Sequence, residues 1–267
     1  MRWEIASGDA GSGADSPEWT FHDAFPPPSI QPPTGFATGK VPVADDEKRD
    51  DEGVRIECVE TVGTLSLDDA DFEVENNTWI VGDDDEVIVI DPAHDAEAIL
   101  KAIGEREILA VICTNGYSDH VEAAIEVAEA DGAPIALHPR DLRLWRMTHL
   151  ETTPEIEMAD GGAFEVGDAR LEVLHTPGAS RGSVCLYSEE LGAVFTGDTL
   201  LAGRPGPVGE EHVDLARQIT SIGEALLTLP MDTRVLPGHG DETTIRVESS
   251  NFDRWVAGDS TTGPATV

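Results

Sequence analysis

Thr114-Asn-Gly-Tyr-Ser-Asp-His120 follows the apolar run Leu109-Ala-Val-Ile-Cys113, and it reads as the loop that leaves a buried strand. Asn115, Tyr117 and Asp119 alternate, so an extended backbone turns these three side chains the same way, with His120 at the start of a helix over Asp119 to Ala130. Two later stretches end strands in the same manner. Phe195-Thr-Gly-Asp198 closes the run from Ala193, and Pro237-Gly-His-Gly240 follows Val235-Leu, with glycines that let the backbone approach closely. Loops at strand ends are where α/β folds gather chemistry from separate parts of the chain. Asp119, His120, Asp198 and His239 together supply two carboxylates and two imidazoles, which suits one divalent ion, with zinc favoured over manganese or iron. A second ion beside it lacks donors.

Working outward, short β-branched runs alternate with helical patterns from Val54 onward, which predicts an α/β arrangement. Strands are expected at Thr78 to Val81, Glu86 to Ile90, Leu109 to Cys113, Pro134 to Leu137, Arg170 to Leu174, Ser183 to Tyr187, Ala193 to Phe195 and Arg234 to Leu236. Helices are expected over Asp95 to Ile103, along the Leu215, Ile219, Ile222, Leu226 and Leu229 spacing, and over Thr243 to Val256. Residues 1–53 are rich in Gly, Ser, Pro and Asp and end in a charged run, so a disordered extension is expected there, followed by one folded domain over 54–258. The small, polar residues 259–267 are expected to form a flexible tail.

Six stretches in order resemble the metallo-β-lactamase superfamily, in its glyoxalase II-like (hydroxyacylglutathione hydrolase-like) branch. They are Asn76-Asn-Thr-Trp-Ile-Val81, Val87-Ile-Val-Ile-Asp-Pro92, Leu174-His-Thr-Pro-Gly178, Gly182-Ser-Val-Cys-Leu-Tyr187, Phe195-Thr-Gly-Asp-Thr-Leu200 and Leu236-Pro-Gly-His-Gly-Asp-Glu-Thr-Thr-Ile245. The resemblance implies a four-layered αββα sandwich with a metal site along one edge of two sheets. The departures fall in the same stretches. The family's His-x-His-x-Asp-His reads Asn115-x-Tyr117-x-Asp119-His120 here, and the histidine implied four positions beyond His175 is Ala179. All three imidazoles of the family's first metal site are gone. The second site is complete by type: Asp119, His120, Asp198 in the bridging position, and His239. One subclass of the superfamily has Asn at the first motif position and uses a single zinc, so a one-metal site is the expectation.

By that resemblance the substrate is a small thioester or related ester. Asp198, freed from bridging, is the candidate general base. Tyr117 is the candidate donor to a developing oxyanion, and Arg181 is a candidate cation for the vacated first site. Two Asp ligands partly neutralise the ion, so a slower enzyme than the dinuclear relatives is expected. Asn115, Asp91, His94 and His175 are the candidate supporting residues. For His94 an ordinary helix-start role, and for Asp91 a turn-forming role, compete with support of the site, while His175 is read as holding a loop. The alternative is an inactive member of the fold that binds a metabolite or partner protein in the remodelled cleft.

Composition bounds the partners. The chain has 267 residues with 53 Asp plus Glu against 17 Lys plus Arg, a formal net charge of -36. The acids are dispersed over nearly every loop, which points to a salt-rich, halophilic cytoplasm, because screening falls from roughly 10 Å at 0.1 M to about 3 Å at 1 M salt. Nucleic-acid binding is disfavoured for want of Lys and Arg clusters. No signal segment or membrane-length apolar run is read, so a cytoplasmic protein without membrane association is expected; oligomeric state is not readable. Cys58, Cys113 and Cys185 read as small buried hydrophobes, His138, His149 and His212 as surface histidines, and Trp145 and Trp255 as helix packing.

Overall fold

The computed structural model describes residues 53–67, 70–206 and 214–258, with side chains over 53–63, 73–206 and 214–258. The expected extension up to residue 52, the tail over 259–267 and His212 lie outside the described residues. Two six-stranded sheets form the body. The first runs β1 (Arg55–Leu67), β2 (Ala70–Gly82), β3 (Glu86–Ile90), β4 (Glu107–Ile112), β5 (Ile135–Leu137) and β6 (Ile156–Glu157) in that spatial order. The second is ordered β14 (Thr243–Thr244), β13 (Arg234–Pro237), β10 (Ala193–Gly197), β9 (Val184–Ser188), β8 (Ala169–His175) and β7 (Ala163–Val166), and a short ribbon pairs β11 (Leu200–Leu201) with β12 (Arg204–Pro205).

The central strands of each sheet bury both faces, and their period-two alternation assigns residues to layers. In β3, Ile88 and Ile90 face the second sheet and meet Leu171, Leu186, Phe195 and Leu236, whereas Val87 and Val89 face outward against helices. The outer helices of the first sheet are α1 (Ala96–Ile103), α2 (Ser118–Val121), α3 (Ala124–Glu129) and α4 (Leu142–Thr148). Helix α1 forms where expected: the Asp95 side chain caps the Ala98 N–H at 2.9 Å, Ala96, Ile99 and Ile103 share the buried face, and Gly104 ends it at φ 72°. On the far side, α5 (Leu215–Ser221) widens into a π turn over 222–226, then α6 (Ile245–Ser249) and α7 (Phe252–Val256) follow. These cover Cys185, Val194 and Val235 with Ile222, Leu226, Ile245 and Trp255. The layers are therefore helix, sheet, sheet, helix, an αββα sandwich.

Several elements differ from their sequence expectation. The helix expected over Asp119 to Ala130 is broken into α2 and α3, and that over Thr243 to Val256 into a short strand and two helices. Strand β1 had no apolar run to mark it, yet it pairs antiparallel with β2 along its whole length. Cys113 and Cys185 are buried as expected; Cys58 on β1 is exposed. Trp145 and Trp255 are both buried against helices. His138, expected at the surface, is buried, and its ring stacks on His175 at 4.3 Å between centroids. His149 reaches the Val121 carbonyl at 2.8 Å.

Candidate metal centre

Strands β4, β10 and β13 all release their chains at one edge of the sandwich, and the four expected donors converge there. Asp119 and His120 sit in α2, a single turn that starts as soon as β4 has given out, with His120 N–H bonded to Tyr117 O at 3.0 Å. That helical turn replaces the extended alternation expected through Asp119. Asp198 follows β10 and His239 follows β13. Two glycines make the approach possible. Gly197 adopts φ 48° against Thr114, and a Cβ on Gly238 would fall 2.6 Å from the His120 ring. The sheets are pinned beside the site by Asn77, whose amide donates to Pro237 O at 3.1 Å and Gly240 O at 2.9 Å, and by Trp79 Nε1 to Pro237 O at 3.0 Å.

His120 Nε2 lies 3.1 Å from Asp198 Oδ2 and 3.8 Å from Asp119 Oδ2; His239 Nε2 lies 3.3 Å from Asp119 Oδ2 and 3.4 Å from Asp198 Oδ1. Donors at 2.0–2.1 Å from a tetrahedral ion stand about 3.3 Å from one another, so these spacings fit a single such ion. Asp119, His120 and His239 form a compact buried group of the kind that holds a metal; Asp198 lies outside that group of three but reaches both rings, with Oδ2 toward His120 and Oδ1 toward His239. Two buried atoms in this cluster, His120 Nε2 and Asp198 Oδ1, make no hydrogen bond and have only the ionic contacts at 3.1 and 3.4 Å, an arrangement that a cation would satisfy. The donor set and the orphaned atoms both fit a divalent cation.

The remaining ring nitrogens are held. His120 Nδ1–H donates to Asp91 Oδ2 at 3.0 Å, and Asp91 is fixed in turn by Thr114 N–H and Thr114 Oγ1, both at 2.6 Å. His239 Nδ1–H donates to Glu75 O at 2.8 Å. Both imidazoles thus present Nε2 inward. His94, at φ 57°, lies 3.0 Å from Asn76 Oδ1 through Nε2 and 2.8 Å from Glu122 through Nδ1, while Asn76 Nδ2 donates to Asp119 O at 2.7 Å. His94 therefore reaches the site through Asn76. The Gln218 amide holds Asp198 O at 2.9 Å and Thr199 O at 3.0 Å. Neither Asn76 nor Gln218 carries a spacing in the sequence that marks it as part of the site.

Charge is concentrated here. Burial alone would push His239 down, but the Asp119 and Asp198 carboxylates 3.3 and 3.4 Å from its Nε2 outweigh this and hold it up at about 9. His120 is likewise raised against its burial by Asp198, Asp119 and Asp91. Burial opposes ionisation of Asp119 and Asp198, yet the two imidazoles, His120 foremost, keep both carboxyls below their ordinary range. In the absence of an ion, protons on the imidazoles balance the paired carboxylates.

A profile of the metallo-beta-lactamase superfamily matches residues 72–239. The chain belongs to that superfamily. It is 32% identical over 189 residues to a probable metallo-hydrolase, YqgX, of Bacillus subtilis, covering 66% of this chain and 90% of that protein. It is 28% identical to the hydroxyacylglutathione hydrolase GloC of Haemophilus influenzae, covering 65% and 89%. Among solved structures it is similar to TTHA1623 in a di-iron-bound form, at 30% identity, TM-score 0.60 and coverage of 72% and 98%. The B3 metallo-β-lactamase BLEG-1 is also similar, at 26% identity, TM-score 0.61 and coverage of 71% and 97%. These likenesses are consistent with the glyoxalase II-like branch of the metallo-β-lactamase superfamily.

Against the metallo-β-lactamase pattern, the three positions lacking their imidazoles are joined by neutral hydrogen bonds. Tyr117 Oη–H donates to Ala179 O at 3.1 Å, Asn115 Oδ1 accepts from Tyr117 N–H at 2.9 Å, and Asn115 Nδ2 donates to Asp198 Oδ2 at 3.2 Å. The phenol read as an oxyanion donor thus already spends its proton on Ala179. Buried Asp141, which the sequence did not single out, ties the loops together by accepting from Gly116 N–H at 3.1 Å, Gly182 N–H at 2.6 Å and Ser180 Oγ–H. His175 Nε2 lies 3.1 Å from Arg181 O and holds that loop. The Arg181 side chain is exposed and lines a cleft with Arg140, Pro177 and Arg217.

Proposed function

We propose that this chain is a single-metal hydrolase of a small thioester or related ester, with Asp119, His120, Asp198 and His239 holding a divalent ion, zinc in preference to manganese or iron. The observation that carries the reading is the convergence of Asp119, His120 and His239 in one compact buried group, with Asp198 3.1 Å from one ring and 3.4 Å from the other and two of these buried atoms lacking a hydrogen bond. A divalent ion there would supply a Lewis acid and a water of lowered pKa. The chain's own residues do the rest. Asp91 and the Glu75 carbonyl fix the two rings, Asn76 and Gln218 hold the backbone of Asp119 and Asp198, and Asn115 orients the Asp198 carboxylate, which takes the proton of the attacking water. Support for a thioester comes from the likeness to GloC and for hydrolysis from that to YqgX. Three free cysteines suit a reducing cytoplasm, where small thiol carriers are abundant.

The test is metal analysis and anomalous scattering of protein prepared with zinc, manganese or iron, together with hydrolysis of an S-acyl glutathione. Near one ion per chain is expected, with hydrolysis abolished by chelation and by Asp198→Asn. Protein that stays metal-free and inert when each ion is supplied in excess would sink the reading. It would leave the inactive binding protein as the one that stands.

A further inference from the structure

Beside the metal centre lies a cleft of about 490 Å³ lined by Arg140, Arg181, Arg217 and Pro177. Its size is that of a pocket for a small ligand. In a chain of net charge -36, three guanidinium groups lining one cleft, with no acid among its described lining residues, is a departure from the rest of the surface. Among the described residues none of the three forms a side-chain ion pair, whereas Arg55, Arg106, Arg170 and Arg234 all do. Like charges that are brought together without a carboxylate between them repel, and an anion relieves that repulsion.

Each of these arginines stands within two positions of a residue that bonds to the loops of the metal centre. Arg140 precedes Asp141, the residue that ties Gly116 to Ser180 and Gly182. Arg181 follows Ala179 by two positions, and Ala179 O receives the Tyr117 hydroxyl. Arg217 precedes Gln218, which holds Asp198 O. A ligand seated in the cleft therefore lies against the same loops that position Asp198 and Tyr117.

We propose that this cleft is the subsite for the anionic end of the thiol carrier, taking a group with at least two negative charges, carboxylate or phosphate, while the acyl end lies at the metal centre. The proposal rests on the thioester reading for the identity of the carrier. Guanidinium forks match the bidentate geometry of both anion types, and the surrounding acidic surface leaves this cleft as the place where an approaching anion is attracted.

The test is equilibrium binding by calorimetry of three unreactive probes: an S-alkyl glutathione, which carries carboxylates, an S-alkyl coenzyme A, which carries phosphates, and an uncharged S-alkyl N-acetylcysteamine. The full chain is used as wild type, as single variants R140Q, R181Q and R217Q, and as the triple variant, at the lowest salt that preserves the circular-dichroism spectrum. We expect one anionic probe to bind wild type at least tenfold more tightly than the uncharged probe, which also tells carboxylate from phosphate. The triple variant should lose that advantage and the single variants part of it. In turnover the same variants should raise KM for the matching anionic thioester about tenfold and leave kcat and the uncharged thioester unchanged. Equal binding of anionic probes to wild type and to folded single and triple variants overturns the subsite, as does wild type that does not prefer an anionic probe. An inert protein that still shows the charge-dependent binding keeps the subsite and removes only the hydrolase.

Discussion

His120 and His239 meet the same requirement by different means: one ring is held by a carboxylate, the other by a backbone carbonyl. Only the first can be removed by substitution. Asp91 accepts three hydrogen bonds from Thr114 and His120, and an amide in its place sets an N–H₂ group against at least one of those donors. Asp91→Asn is expected to weaken metal affinity by about 10- to 100-fold, read by competition with a chromophoric chelator. Unchanged affinity would mean that Asp91 serves the Thr114 turn alone. Tyr117 makes the opposite case. An oxyanion donor loses roughly 10²- to 10³-fold in kcat on removal. Because the Tyr117 hydroxyl already donates to Ala179 O, Tyr117→Phe is expected to lower stability by about 1 kcal/mol and kcat by less than tenfold. A hundredfold fall in kcat with stability intact would restore the phenol to the chemistry.

At the scale of elements, the loop after β4 and the loop after β8 are joined by one buried carboxylate at the start of α4. Asp141→Ala leaves Gly116 N–H, Gly182 N–H and Ser180 Oγ without their acceptor. The expected loss is on the order of 3–5 kcal/mol in urea unfolding, and a loss under about 1 kcal/mol would show that the loops are held by other contacts. Asp141 also illustrates what the sequence could and could not reveal. The donors were legible because each stands just past an apolar strand, beside glycine, in a known order. Asp141, Asn76 and Gln218 act on partners 25, 43 and 20 residues away, and a distance of that kind leaves no local pattern. The central strands were legible because both of their faces are buried and their apolar runs are continuous. Strand β1 was not, since its register is set by pairing with β2 and acids interrupt its apolar positions. The break between α2 and α3 was hidden for a related reason: Glu122 and Ala123 suit a helix, and at the break the Ala123 N–H bonds outside it, to Pro92 O at 3.2 Å.

Over the whole molecule, charge controls stability in two separable ways. The dispersed excess of acid repels itself at long range, so raising KCl from 0.1 to 2 M, which shortens the screening length from about 10 Å to under 3 Å, should raise the urea midpoint; a flat response would exclude adaptation to salt. The metal centre responds to pH instead, and the sign follows from His239. Its pKa in the folded, metal-free protein is raised from an ordinary value near 6.5 to about 9, so the protonated ring is favoured by folding. That stabilisation is complete below pH 6.5, declines between 6.5 and 9, and is gone above. His138, pushed down to about 4, is neutral throughout this window and contributes only below it. The chelated protein should therefore lose on the order of 5 to 10 °C in Tm between pH 6.5 and 9 at fixed high salt. An ion needs both rings neutral and competes with their protons, so the increment in Tm from added metal should grow over the same interval. A Tm that falls without metal and stays level with it is the signature of two imidazoles caged by Asp119 and Asp198. Parallel slopes would show that the cage does not form in solution.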